Sequence, residues 1–73
     1  MATYSTFGEQ LRTWRLDQGL SQEDFGELLD PKVRPSTVCC WENDVRCPSW
    51  RFLGQILALT GIPADLALRT DEA

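Results

Sequence analysis

The sequence predicts an all-α fold, a compact bundle of four or five short helices around one small core. Three observations predict it. Apolar residues recur at helical spacing along most of the chain. Capping residues and Gly or Pro breakers punctuate it at helix-length intervals. No strand pattern competes with them. A chain of 73 residues holds one domain. At that size folding buries only about 60% of the unfolded surface, so stability is marginal.

Each element has its own signals. Thr6 is an N-cap, and Glu9 three residues later completes a capping box for a helix from about Phe7 to Gln18. Phe7, Leu11 and Trp14 form its apolar face, and Gly19 supplies a left-handed end. Ser21 caps a second helix, with Gln22 and Glu23 in the first turn and Asp24 at N3, where acids suit the helix dipole. Phe25, Leu28 and Leu29 are its expected buried face. Gly26 costs about 1 kcal/mol relative to Ala in a helix interior, which suggests that another helix crosses close by. Asp30-Pro31 ends the helix, because the residue before Pro is pushed out of helical geometry.

Pro35 fits N1 of a third helix, expected from Pro35 to Asn43 with Val38 and Trp41 inward. Asp44 to Cys47 is a loop closed by Pro48. Ser49 caps a fourth helix over about Trp50–Leu59, with Leu53, Ile56, Leu57 and Phe52 as candidates for burial, and Gly61 ends it. A last short helix is expected from about Pro63 to Leu68, anchored by Leu66. The domain organisation expected is an N-terminal arm over 1–6, the helical domain over 7–68 and a flexible tail over 69–73.

Composition narrows the function. Hydrophobic residues make up 42% and charged residues 25%, proportions of a globular rather than a disordered chain. No apolar run approaches the roughly 20 residues of a membrane span, and no charged and apolar leader pattern opens the chain. With no His, His-based catalysis and His-containing zinc sites are excluded. Three Cys, an odd number, are not the four, six or eight of a small disulfide scaffold, and free thiols are the simplest reading. The expected location is a reducing cytoplasm. No nucleophile–base pair and no Gly-rich phosphate loop is present, so neither an enzyme nor a cofactor or metal protein is indicated. Net charge is −4, which by itself weighs against nucleic acid. Its distribution points the other way. Between Lys32 and Arg51 four cations face two carboxylates, a local +2, against −6 elsewhere.

Two short helices joined by a turn inside a small helical domain form a helix-turn-helix arrangement. The strings FGEQLRTWRLDQGLSQEDFGELL, STVCCWEN and PSWRFLGQILALTGIPADLAL carry a sharper likeness. Over about Phe7–Leu68 the chain resembles the Cro/C1-type (XRE-like) helix-turn-helix domain of phage repressors and bacterial regulators, a lambda-repressor-like fold. The resemblance implies a sequence-specific DNA-binding regulator, most simply a repressor, bound as a homodimer to double-stranded operator DNA. The third helix would lie in the major groove.

By the same resemblance Gln22 faces a phosphate. Arg34, Pro35, Ser36 and Cys40 fall at base-facing positions, Thr37 and Asn43 at backbone-facing ones, and Arg46 lies along the next phosphates. Arg15 and Glu42 match an internal salt bridge, and the dimer contact would involve the fourth and fifth helices around Ile62–Leu68. The chain departs from the family in two ways. Its turn from Asp30 to Arg34 is about two residues longer, and Pro35 with the adjacent Cys39 and Cys40 stands where relatives carry amides and basic residues. Base readout would rest on Arg34 and Ser36.

The sequence also admits other readings. A protein-interaction module that keeps the fold without DNA binding would suit the acidic total. Cys39, Cys40 and Cys47 are small packing residues by default, with a thiol-switched regulator as the alternative. Trp14 and Trp41 belong to the core. Trp50 packs at a helix start, braces DNA or lines a partner surface.

Overall fold

The computed structural model describes residues 6–63, and these are all-helical apart from turns and loops. The first helix, α1, spans Phe7–Asp17 and opens with the complete capping box between Thr6 and Glu9. It closes on Gly19 at φ +72°. The Gly19 N–H donates to Leu16 O and the Leu20 N–H to Arg15 O, the paired bonds of a Schellman end. Phe7 and Leu11 are buried, while Trp14 is half-buried and meets Phe25 edge-on at 6.0 Å.

Helix α2 is shorter than the sequence suggests, Gln22–Glu27. Its capping box is in place: the Asp24 N–H donates to Ser21 Oγ at 2.9 Å, and the Ser21 N–H donates to Asp24 Oδ2 at 3.1 Å. The Ser21 N–H bond to the carboxylate, and after it the Ser21 hydroxyl, hold the Asp24 carboxyl below its ordinary value. A lowered folded-state pKa contributes stability that is full above the ordinary aspartate range and lost as pH falls through the folded value. Thermal unfolding at pH 7 and pH 3 is therefore expected to show a drop in midpoint that Asp24→Asn reduces. An unchanged drop in that variant would remove Asp24 from the acid response.

The early end of α2 has a tertiary cause. In a longer helix the Asp30 N–H would bond to Gly26 O. Instead it donates to Gln55 Oε1 at 2.8 Å, and Gln55 Nε2 donates back to Asp30 O at 2.7 Å. Gly26 O accepts from the Val33 N–H at 3.0 Å. Leu28 therefore lies beyond the helix and is 50% exposed, contrary to the amphipathic reading, whereas Leu29 is buried. At Gly26 the following helix does come close, with Val38 at 3.7 Å from a Cβ built there, but it is not the tightest neighbour. That is the Val33 carbonyl of the loop before the next element.

Helix α3 spans Pro35–Glu42 with Pro35 in the first turn, Arg34 as N-cap and Asn43 as C-cap. Helix α4 spans Trp50–Thr60. Ser49 occupies its N-cap position without a side-chain cap bond, and Gly61 ends it at φ +75°. Val38 and Trp41 of α3 meet Leu53 and Ile56 of α4 in the core, together with Phe7, Leu11, Phe25, Leu29 and Ile62. Phe52 is half-buried with its ring 5.8 Å from Trp41, and Leu57 packs at the core's edge. Trp50 is 79% exposed and belongs to no core. The described residues hold four helices. Pro63 is not helical, and the rest of the expected fifth helix, with Leu66, lies outside the described residues, as do the tail and most of the arm. Among the described residues no helix is long and apolar enough to cross a membrane.

Candidate nucleic-acid interface

A buried ion pair fixes how α3 sits on α1 and α2. Arg15 Nε donates to Glu42 Oε2 at 2.6 Å, and Nη2 donates to Oε1 at 3.0 Å. The remaining fork nitrogen, Nη1, donates to Leu20 O at 2.8 Å, just beyond the end of α1. Gln22 Nε2, at the start of α2, donates to Glu42 Oε1 at 3.2 Å. One carboxylate on α3 thus gathers donors from α1 and α2. Both charged residues are buried, at 7% and 5% exposure. The bond to Glu42 raises the Arg15 pKa against the opposing effect of burial. Every buried side-chain nitrogen and oxygen among the described residues has a partner, so the cost of taking these charges from water is matched by bonds.

Gln22 is consequently half-buried and already engaged by Glu42. Its amide has a second N–H, the group a phosphate would take.

A helix turns about 100° per residue, which sorts α3 into two sides. Val38, Trp41 and Glu42 face inward and are buried. Ser36, Cys40 and Asn43, at i, i+4 and i+7, share the opposite side, with Cys39 beside them. Ser36 and Asn43 are exposed, and Thr37, Cys39 and Cys40 are half-buried. Asn43 Nδ2 turns back to Cys39 O at 2.9 Å and to Cys39 Sγ at 3.3 Å. That leaves its carbonyl oxygen for a ligand. All these side chains are small. Arg34 stands exposed at the N-cap end and Arg46 exposed beyond the C-cap end. Lys32 and Arg51 are exposed as well. With Glu42 paired internally, the four cations noted in the sequence face solvent with only Asp44 among them as an exposed carboxylate.

Three residues that the sequence reading passed over shape this surface. Gly8 in α1 lies against the carbonyls of Trp41 and Glu42, where a Cβ would meet backbone oxygen. Gln55 holds the long turn through Asp30. Asp44 takes a left-handed conformation at φ 60°. Asn43-Asp44 at the end of a helical stretch is a signal for the last, since these two types tolerate that conformation best after Gly.

Among the described residues no group of three or more His, Cys, Asp or Glu could hold a metal ion. The family described as helix-turn-helix domain matches residues 6–69. No curated protein and no solved structure matches the chain.

Proposed function

The chain belongs to the helix-turn-helix domain family, a DNA-binding fold, and from that premise we propose a sequence-specific transcriptional repressor that acts in the cytoplasm as a homodimer. The observation that supports it best is the outward side of α3. It carries only small polar or thiol side chains with an arginine at either end. A slim helix of that kind suits the major groove, and the flanking cations suit the phosphates on either side.

In this reading Arg34 and Ser36 address bases, Cys40 lies against the groove floor, and Thr37, Asn43, Gln22 and Arg46 hold the backbone. The exposed side of α4 supports self-association. Trp50, Gly54 and Ala58 are exposed at four-residue spacing, and Arg51 is the helix's single charge. Two copies related by a two-fold axis would present two α3 helices to half-sites about one helical turn apart. Occupying a promoter in this way blocks transcription without any catalytic step.

The test is a titration of the protein on DNA from upstream of its own coding sequence, beside a scrambled duplex, at low and moderate salt. Preference for the native duplex, two copies per site and a steep loss of affinity with salt are expected. Arg34→Ala is expected to weaken specific binding by about 1–3 kcal/mol and to relax preference at one base position. An equal loss on both duplexes would make Arg34 a phosphate contact. Failure to bind any duplex at low salt would remove the DNA reading and turn the search to a protein partner for the side that carries Trp50.

A further inference from the structure

Asp44 combines two features that the DNA reading leaves unused. It is the only non-Gly residue among those described with a positive φ, 60°. It also ends α3 in the same way that Gly19 ends α1. The Asp44 N–H donates to Trp41 O at 3.2 Å and the Val45 N–H to Cys40 O at 2.9 Å, the Schellman pair. Gly fills that position at no steric cost, and an Asp there is strained. What the Asp adds is its carboxylate. Oδ2 accepts from the Thr6 hydroxyl at 2.6 Å, and Oδ1 accepts from the Gly8 N–H at 3.1 Å. Both donors belong to the N-terminal turn of α1, the positive end of its dipole. The turn leaving α3 is thus fastened to the start of α1. Gly8 permits this because a Cβ there would strike the carbonyls of Trp41 and Glu42.

The fastened turn leads directly into Val45 and Arg46, whose side chains are exposed while both their N–H groups point back to Cys40 O. Thr6, Asp44, Val45, Arg46 and Cys47 line one shallow depression. We infer that Asp44 is a positioning residue for DNA binding: it fixes the turn that presents Arg46 to a phosphate, with its own charge held against the α1 N-terminus. The inference rests on the DNA reading above.

Two opposite signs make it testable. A carboxylate near DNA repels phosphate, so removing it tightens binding if charge is its whole effect. If Asp44 positions Arg46, removing it weakens binding although the protein becomes less negative. The experiment measures affinity for a mixed-sequence DNA duplex across a salt series, for the full chain and for Asp44→Gly, Asp44→Asn, Arg46→Ala and the Asp44→Gly/Arg46→Ala pair. Folding is followed by circular dichroism at the same temperature. Gly and Asn variants carry the same charge and both tolerate the turn, but only Asn retains an acceptor oxygen.

Asp44→Gly is expected to bind several-fold more weakly than the parent. Its slope of log affinity against log salt is expected to be shallower by about 0.9, the equivalent of one phosphate contact. Asp44→Asn is expected to bind more tightly than Asp44→Gly, and Asp44→Gly is expected to cause no further loss once Arg46 is gone. Equal binding by the Gly and Asn variants, tighter than the parent, would overturn the inference, as would an undiminished loss in the Arg46→Ala background. If Asp44→Gly does not stay folded, Asp44→Asn decides through its own combination with Arg46→Ala. A loss confined to the Arg46-containing protein supports positioning, and no such loss overturns it. A parent protein that shows no salt-dependent binding overturns the DNA reading itself.

Discussion

Glu42→Ala is expected to destabilise the fold by about 3–5 kcal/mol, the cost of leaving one partner of a buried ion pair uncompensated. The Arg15 guanidinium would keep only its bond to Leu20 O, and the Gln22 amide would lose its acceptor. At roughly 0.05–0.15 kcal/mol per residue, a domain of this size has little stability beyond that loss. Its thermal midpoint should fall by more than about 10 °C. Because the Arg15 pKa is raised in the folded state, its contribution is complete below the ordinary arginine range and is lost only at higher pH. The guanidinium therefore adds no pH dependence near neutrality. A combined Arg15→Met/Glu42→Leu change is expected to recover much of the loss, since apolar side chains of similar volume remove both charges together. A Glu42→Ala protein that melts within a few degrees of the parent would show that the pair does not hold α3 to α1 and α2.

Gly26→Ala reverses the sign that helix propensity assigns to it. Ala is favoured over Gly by about 1 kcal/mol inside a helix, so a Gly26 chosen by no contact would gain stability from the change. The structure places the Val33 carbonyl where the new Cβ would stand, and the Val33 N–H is at the same time bonded to Gly26 O at 3.0 Å. Neither partner can move without opening the turn that leads to Arg34. A loss of about 1–3 kcal/mol is expected, as for other overpacked sites. Gly54→Ala is the control. Gly54 is mid-helix in α4 with nothing within 4 Å of the added Cβ, so the propensity gain should appear there. Denaturant unfolding of the two variants separates the cases. A gain at Gly26 would mean that the turn yields readily and does not fix the start of α3.

Much of this was legible locally. Caps act within four residues, so Thr6 with Glu9 and Ser21 with Asp24 announced two helix starts. Pro35 at N1, and Gly19 and Gly61 at helix ends, follow from backbone freedom alone. Apolar spacing found Val38, Trp41, Leu53 and Ile56. It failed at Leu28 because periodicity presumes that the helix continues, and whether α2 continues is decided by the Gln55 amide 25 positions away in sequence. Gly26 was recognisable as a tight spot, but the sequence does not say whether a helix or a loop presses on it.

The candidate site divides along the same line. Residue types and spacing determined that a third helix would carry small side chains between Arg34 and Arg46 in the basic part of an acidic chain. The family resemblance already implied that Glu42 pairs with Arg15 to hold that helix. Only the tertiary structure decided the rest of what fixes it in place: Gln22 joins the pair, Gln55 grips the long turn, and Asp44 fastens the end of α3 to the start of α1. Bonds that span 20 or more positions leave no periodic trace in a sequence. Their partners are side chains of ordinary type, and only the folded chain brings donor and acceptor within 3 Å or so of each other.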